Sequence, residues 1–261
     1  MDGEEIYRFL EKEFIDTFLG ELIPGIFHNY ANPLNGIMGR SNLLQRRLMD
    51  FVKKMEARYP DVERELGGDY KKLIADINAI NHESEKFHDM FRASSGKFYA
   101  IANHGMETLN LSKLMEAEMG FSDFYLDFKH NVKKEIRLDA EVPDISGITG
   151  YYSMALWMLI RLAMSGLRDC RDKVFSVETG HQEGRVFIRM SGMGRELMSG
   201  WKESLVDSDI PSKHGTERQK LSWALLLLKR GSKDVDLAYD ENTETLTISV
   251  SYRHAREEQG N

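Results

Sequence analysis

Cysteine is almost missing from this chain. Cys170 is the single thiol among 261 residues, so no intrachain disulfide forms, and neither a CxxC pair nor a Cys/His cluster with zinc-ligand spacing occurs. That composition suits a reducing cytosol. A basic excess is missing too: 35 lysines and arginines stand against 42 acidic residues, a net charge of −7. The broad positive surface that nucleic-acid phosphates require is therefore not expected, and nucleic acid is not an expected partner. No stretch approaches the roughly 18 uninterrupted apolar residues of a membrane span. The opening MDGEEIYRFLEKEF is acidic and lacks the apolar core of a signal peptide. A cytoplasmic protein is expected, long enough for two modest domains of about 100–150 residues each or for one large one.

What is present begins with helical periodicity. From Glu4 to about Arg58 apolar residues recur at intervals of three and four, with Ile6, Leu10, Phe14, Ile15 and Phe18 before the first proline and Leu34, Ile37, Leu44 and Leu48 after the second. That reads as one long, interrupted helix. Tyr59-Pro60-Asp61 and Leu66-Gly67-Gly68-Asp69 carry stop and turn chemistry. A second helix is expected from about Tyr70 to Ala93 on the stripe Leu73, Ile77, Ile80, Phe87 and Met90, ended by Ser94-Ser95-Gly96. Two such helices make a hairpin, and a lone hairpin leaves half its apolar stripe in water. Pairing with a second copy into a four-helix bundle would bury it, so a homodimer is expected; the alternative is that the hairpin packs on the rest of its own chain.

Beyond about residue 108 the pattern changes. Tyr151 to Asp169 is strongly apolar at helical spacing and reads as a buried helix. Val174 to Thr179 and Arg185 to Met190 alternate like strands, joined through Gly180 to Gly184. A helix from Gln219 to Arg230 precedes another strand pair, Val235 to Tyr239 and Leu246 to Tyr252, with a turn at Asp240-Glu241-Asn242. The class is α+β: a helical hairpin domain over 1–107 and a two-layer α/β sandwich over 108–261.

The chemically informative run is IPGIFHNYANPLNGIMGRSNLL, Ile23 to Leu44. Pro33 inside a helical pattern removes one backbone donor and leaves the carbonyl of Asn29 without its partner, which places a kink near His28. Residues four apart share a helix face, so His28 and Asn32 point the same way, while Phe27, Leu34 and Ile37 serve the core. This run resembles the phosphoacceptor box of the histidine kinase dimerisation domain, roughly H-[ED]-x-x-[NT]-P-L-x-x-I, in His28, Asn32, Pro33, Leu34 and Ile37, followed by Gly39 and Leu44. Asn29 stands where the family usually has an acid, which accepts a proton during attack on ATP.

From Thr108 to Met190 the order of segments is similar to a histidine kinase ATP-binding domain. At its nucleotide positions the resemblance breaks. Met158 and Leu162 occupy the two asparagine positions of the asparagine box, and Arg161 the acidic one between them. Where the family has D-x-G-x-G, Met190-Ser191-Gly192-Met193-Gly194 keeps the glycines and loses the aspartate. No second glycine-rich box precedes Leu221, only Gly215-Thr216-Glu217-Arg218-Gln219-Lys220. Mg²⁺ needs oxygen ligands and the adenine amine needs an acceptor, and methionine and leucine offer neither. Phosphoryl transfer from ATP depends on positioning and charge neutralisation, so autokinase activity is not expected.

The combination is similar to bacterial histidine phosphotransferases built like a kinase core with a degenerate ATPase-like domain. It implies a phosphorelay: His28 accepts phosphate from a response-regulator aspartate and returns it to another, with Asn32 positioning the phosphoryl group or a water. No cofactor is expected on this chain, and Mg²⁺ belongs to the receiver domain. A sensor kinase is an additional partner. Two alternatives stay open: a kinase core with a divergent ATP site, and a noncatalytic dimeric regulator that binds receivers or kinases. The other histidines, at 82, 88, 104, 130, 181, 214 and 254, show no ligand spacing, and Gly192-Met193-Gly194 reads first as a turn.

Overall fold

The structure, a computed structural model, describes residues 3–18, 22–57, 62–204 and 216–252. The expected turn at Tyr59-Pro60-Asp61 lies outside them, as do the side chains of Phe27, His28, Leu34, Leu48 and His88, and residues His214 and His254. The chain divides into two compact units, one of residues Ile23–Ser94 and one combining Met1–Leu22 with Ser95–Asn261. These limits differ from the boundary near 107 that the sequence suggests, because both the N-terminal helix and the last turns of the hairpin belong with the second unit.

The first unit holds α2 (Ile23–Ala57) and the greater part of α3 (Val62–Ala102); α1 (Gly3–Thr17) precedes them. The single interrupted helix expected over 4–58 is thus two helices assigned to different units. α3 also outruns its expected limits at both ends. Leu66-Gly67-Gly68-Asp69 is helical backbone, and Ser94-Ser95-Gly96 continues the helix. A helical glycine costs only about 1 kcal/mol relative to alanine. Ser94 satisfies its hydroxyl by donating to the carbonyl of Met90, one turn back, at 3.0 Å.

The second unit is built on a five-stranded sheet in the order β2-β4-β5-β7-β6, formed by β2 (Lys133–Arg137), β4 (Val174–Gln182), β5 (Arg185–Ser191), β6 (Val235–Asp240) and β7 (Thr245–Ser251). β2 runs parallel to β4, and every other pair is antiparallel. Glu183 and Gly184, both at positive φ (52° and 81°), make the two-residue turn between β4 and β5, the left-handed geometry that matches strand twist. Alternation assigns the faces: Phe175, Val177, Val186, Ile188, Met190, Leu246, Ile248 and Val250 are buried, while Ser176, Glu178, Arg185 and Arg189 between them are partly exposed. A separate antiparallel pair joins β1 (Met106–Leu109) to β3 (Ile145–Ile148).

On the apolar face lie α4 (Leu111–Ser122), α6 (Thr149–Leu167) and α9 (Glu217–Gly231), with α5 (Leu126–Asn131) and the short α7 (Arg195–Met198) and α8 (Trp201–Ser204) completing the order. Asn110 caps α4, and Thr216 with Gln219 forms a reciprocal capping box on α9. α6 is apolar nearly all round because it is covered on both sides, by the sheet and by α1. α1 inserts Ile6, Tyr7, Leu10 and Phe14, all buried. Phe14 meets Trp157 edge to face at 5.0 Å, Phe9 meets Trp223 at 4.0 Å, and Lys220 binds Glu13 at 2.6 Å. The layered helix-and-sheet architecture agrees with the mixed class expected from sequence. Among the described residues no helix is long and apolar enough to cross a membrane.

Candidate functional site

The histidine-bearing run sits in α2, with Pro33 inside the helix. Helical register sorts its residues by face. Ile26, Asn29 and Pro33 are buried, and Tyr30 and Ile37 half-buried. Asn32, Asn35 and Gly39 are exposed. Position 28 precedes these three by four, seven and eleven residues in the helix, and its side chain lies outside the described residues. Asn32, Asn35 and Gly39 mark one exposed face of α2.

Asn29 does not share it. At 6% exposure it is buried, and an ionised acid there would carry a large desolvation cost. The position held by an acid in the resembled family is an interior amide here, away from the face that carries Asn32.

The facing helix holds this segment by contacts the sequence did not announce. The Tyr30 hydroxyl lies 2.7 Å from Ser94 Oγ and 3.3 Å from the Met90 carbonyl, and its ring meets Phe87 edge to face at 5.3 Å. Further along α2, Arg47 and Arg40 both reach Asp76 on α3, Arg40 at 3.5 Å. Asp76 is only 3% exposed, so a carboxylate in the middle of an apolar stripe is neutralised by two guanidinium groups.

In the second unit the positions matched to nucleotide contacts are core positions. Met158, Leu162 and Met190 are 1%, 3% and 0% exposed. Arg161 donates to Thr17 of α1, and its guanidinium stands 5.7 Å from the Trp157 ring. Gly192 and Gly194 adopt positive φ (103° and 77°), and buried Met193 lies between them. A Cβ on Gly166 would sit 2.8 Å from the Met193 carbonyl, so this turn is pressed against the backbone of α6. Both glycines answer to turn geometry. The thioethers and methyl groups here present no hard oxygen donor to a divalent cation. Among the described residues no group of three or more His, Cys, Asp or Glu is placed to hold a metal ion.

A buried cluster that sequence reading missed ties the end of α3 to α4 and α6. Lys97 Nζ donates to both Glu118 oxygens (2.8 and 2.7 Å), to the Ser153 carbonyl (2.9 Å) and to Ser153 Oγ (2.8 Å). Ser153 Oγ in turn donates to Glu118. The Phe14 and Phe121 rings flank the ammonium at 5.8 and 5.9 Å. Burial pushes the Lys97 pKa below its ordinary value, while Glu118 pulls the other way.

No protein-family model matches the chain, and no curated protein does. Among solved structures, the Acinetobacter baumannii histidine kinase AdeS is similar at 13% identity and a TM-score of 0.39, over 82% of this chain and 95% of that one. The catalytic domain of the histidine kinase ThkA is similar at 14% identity and a TM-score of 0.42, over 57% and 96%. A bacterial phosphotransferase is similar at 11% identity and a TM-score of 0.33, over 87% and 92%. At these identities and scores no chemistry is carried over to this chain.

Proposed function

We propose that this protein is a histidine phosphotransferase of a bacterial two-component phosphorelay, with His28 as its phosphoacceptor. The observation that supports the reading is the motif H-x-x-x-N-P-L carried on α2, a helix that contains Pro33 and exposes Asn32, one turn after position 28. An imidazole with an ordinary pKa near 6.5 is largely neutral at cytosolic pH and nucleophilic without an adjacent base. Its nitrogen attacks the phosphorus of a receiver's aspartyl phosphate. The P–N bond forms, the P–O bond to the aspartate breaks, the carboxylate leaves, and the imidazole N–H proton passes to solvent. The reverse sequence delivers the group to a second receiver. Mg²⁺ held by the receiver neutralises the transferring oxygens, and Asn32, one turn from position 28, orients the phosphoryl group or a water.

The hairpin unit serves as the dimerisation and phosphoacceptor domain. On α3, Ile77 and Phe87 remain 44% and 36% exposed, and with Leu73 and Ile80 they form the stripe a second copy would cover in a four-helix bundle. The sheet unit serves as a degenerate ATPase-like domain: apolar core side chains stand where nucleotide contacts are needed. The partners are receiver domains and a sensor kinase, in the cytoplasm.

Transfer and ATP use separate this reading from a kinase core with a divergent site. Incubated without ATP beside phosphorylated receivers, the protein is expected to acquire acid-labile, base-stable label, and calorimetry with millimolar Mg-ATP is expected to show no heat of binding. Label that requires ATP would establish the kinase instead. No label from any receiver would leave the noncatalytic regulator.

A further inference from the structure

We propose that the cavity between α1 and the start of α6 is a binding site for a small organic cation of the quaternary ammonium class, held by aromatic rings and by the carboxylate of Glu11. Its volume is about 420 Å³, within the range of small-molecule sites. Glu4, Tyr7, Arg8 and Glu11 line it from α1, His104 from the segment after α3, and Tyr151 from α6. All of these belong to the unit of Met1–Leu22 and Ser95–Asn261, and phosphotransfer uses none of them.

The rings are held in place by their own packing. Tyr7 is 2% exposed and donates its hydroxyl proton to the Ile101 carbonyl. The His104 ring meets it edge to face at 4.5 Å between centroids, and the Tyr151 ring stacks on it at 5.6 Å with 27° between the planes. Gly3 packs on Tyr151 so closely that a Cβ there would stand 3.1 Å from the ring and from its hydroxyl. An aromatic wall of this kind presents π-electron density, which attracts cations and does so best for those that shed water easily.

Charge points the same way. Glu4 is engaged by Arg8 at 2.6 Å, and Glu13, farther along α1, by Lys220 at 2.6 Å. Glu11 is half-buried and forms no salt bridge among the described residues. The lining therefore sets two carboxylates against one guanidinium that is already bonded. The surplus is felt at Tyr7: burial pushes the phenol pKa above its ordinary value, and the Glu11 carboxylate pushes it further. An anion finds no uncommitted donor charge here. A bare divalent cation is not suited either, because ring carbon does not replace the oxygen ligands it demands, and among the described residues no group of three or more His, Cys, Asp or Glu is placed to hold a metal. An alkylated ammonium fits both features, since its methyl groups pack on the rings while its charge faces Glu11.

The test titrates the full chain with choline and with tetramethylammonium at constant ionic strength, by calorimetry and by the proton resonances of the ligand methyl groups. Sodium chloride and the uncharged isostere of choline, in which carbon replaces nitrogen, are the controls. Both cations are expected to bind with a Kd of about 1 mM or lower, with methyl resonances moved upfield by the ring currents, and neither control should bind. Tyr151→Leu, which keeps apolar volume and removes the π face, should weaken choline binding about tenfold. Glu11→Gln, which keeps size and removes the charge, should weaken it by about as much; being the milder change, it decides alone if Tyr151→Leu fails to fold. Equal affinity for the uncharged isostere, unchanged affinity in Glu11→Gln, or no heat from either cation at about 20 mM would overturn the proposal.

Discussion

Replacing His28 by alanine is expected to reduce phosphate acceptance from receivers to background, while the elution volume of the protein and its thermal midpoint stay as they were. The imidazole is the proposed nucleophile, and losing the nucleophile of such a reaction costs on the order of 10⁶ in rate. Structure is spared because position 28 lies within a helix and alanine is the best helix former. Asn32→Ala supplies the contrast: with the nucleophile intact it should slow transfer by about tenfold. Mass spectrometry of phosphate on any other residue of His28→Ala, at undiminished rate, would remove the mechanism.

A second large effect is expected in the other unit. Lys97→Met should destabilise the protein by about 3–5 kcal/mol, because it leaves the Glu118 carboxylate buried without its cation. For a unit of this size that lowers the thermal midpoint by roughly 10 °C. Changing both partners, Lys97→Met with Glu118→Leu, should recover about half of the loss, since no unpaired charge then remains; recovery is partial because Ser153 Oγ, which donates to Glu118 and accepts from Lys97, loses both contacts. Calorimetric or denaturant unfolding of the three proteins decides it. A double variant as unstable as Lys97→Met would mean that packing volume, and not the stranded carboxylate, sets the cost.

The sign of the pH effect follows from the same burial. The native Lys97 pKa is held below its unfolded value, so the protonated side chain weakens folding below that native value. The penalty is relieved as pH rises from the native pKa toward the ordinary lysine value.

How far each element was legible depends on how local its cause is. The buried helix over 149–167 and the strand pairs around Glu183-Gly184 and Asp240 were read closely, because an all-round apolar run and period-two alternation are written in consecutive residues. β1, β3 and α5, of four to six residues, have too few positions for a period to show. α3 was cut short at both ends because Gly67-Gly68 and Ser94-Ser95-Gly96 look like stops, although a helical glycine costs only about 1 kcal/mol. The candidate site divides similarly. The sharing of a face by positions 28 and 32 is fixed by helix pitch, whereas the burial of Asn29 and the grip of Ser94 on Tyr30 depend on which side of α2 meets α3.

By itself, then, the amino-acid order determined the helical and strand periods, the proline within α2, the histidine–asparagine spacing and the apolar residues at positions 158, 162 and 190. Tertiary structure alone decided that the first helix covers α6 and α9 and does not extend the hairpin, that Lys97 and Asp76 are interior charges, and that Met193 closes against Gly166. The reason is one of range. Propensity and periodicity act over a few residues of chain, but desolvation, charge pairing and close packing are set by neighbours that arrive from Phe14, Glu118 or Ser153, far beyond that range in sequence.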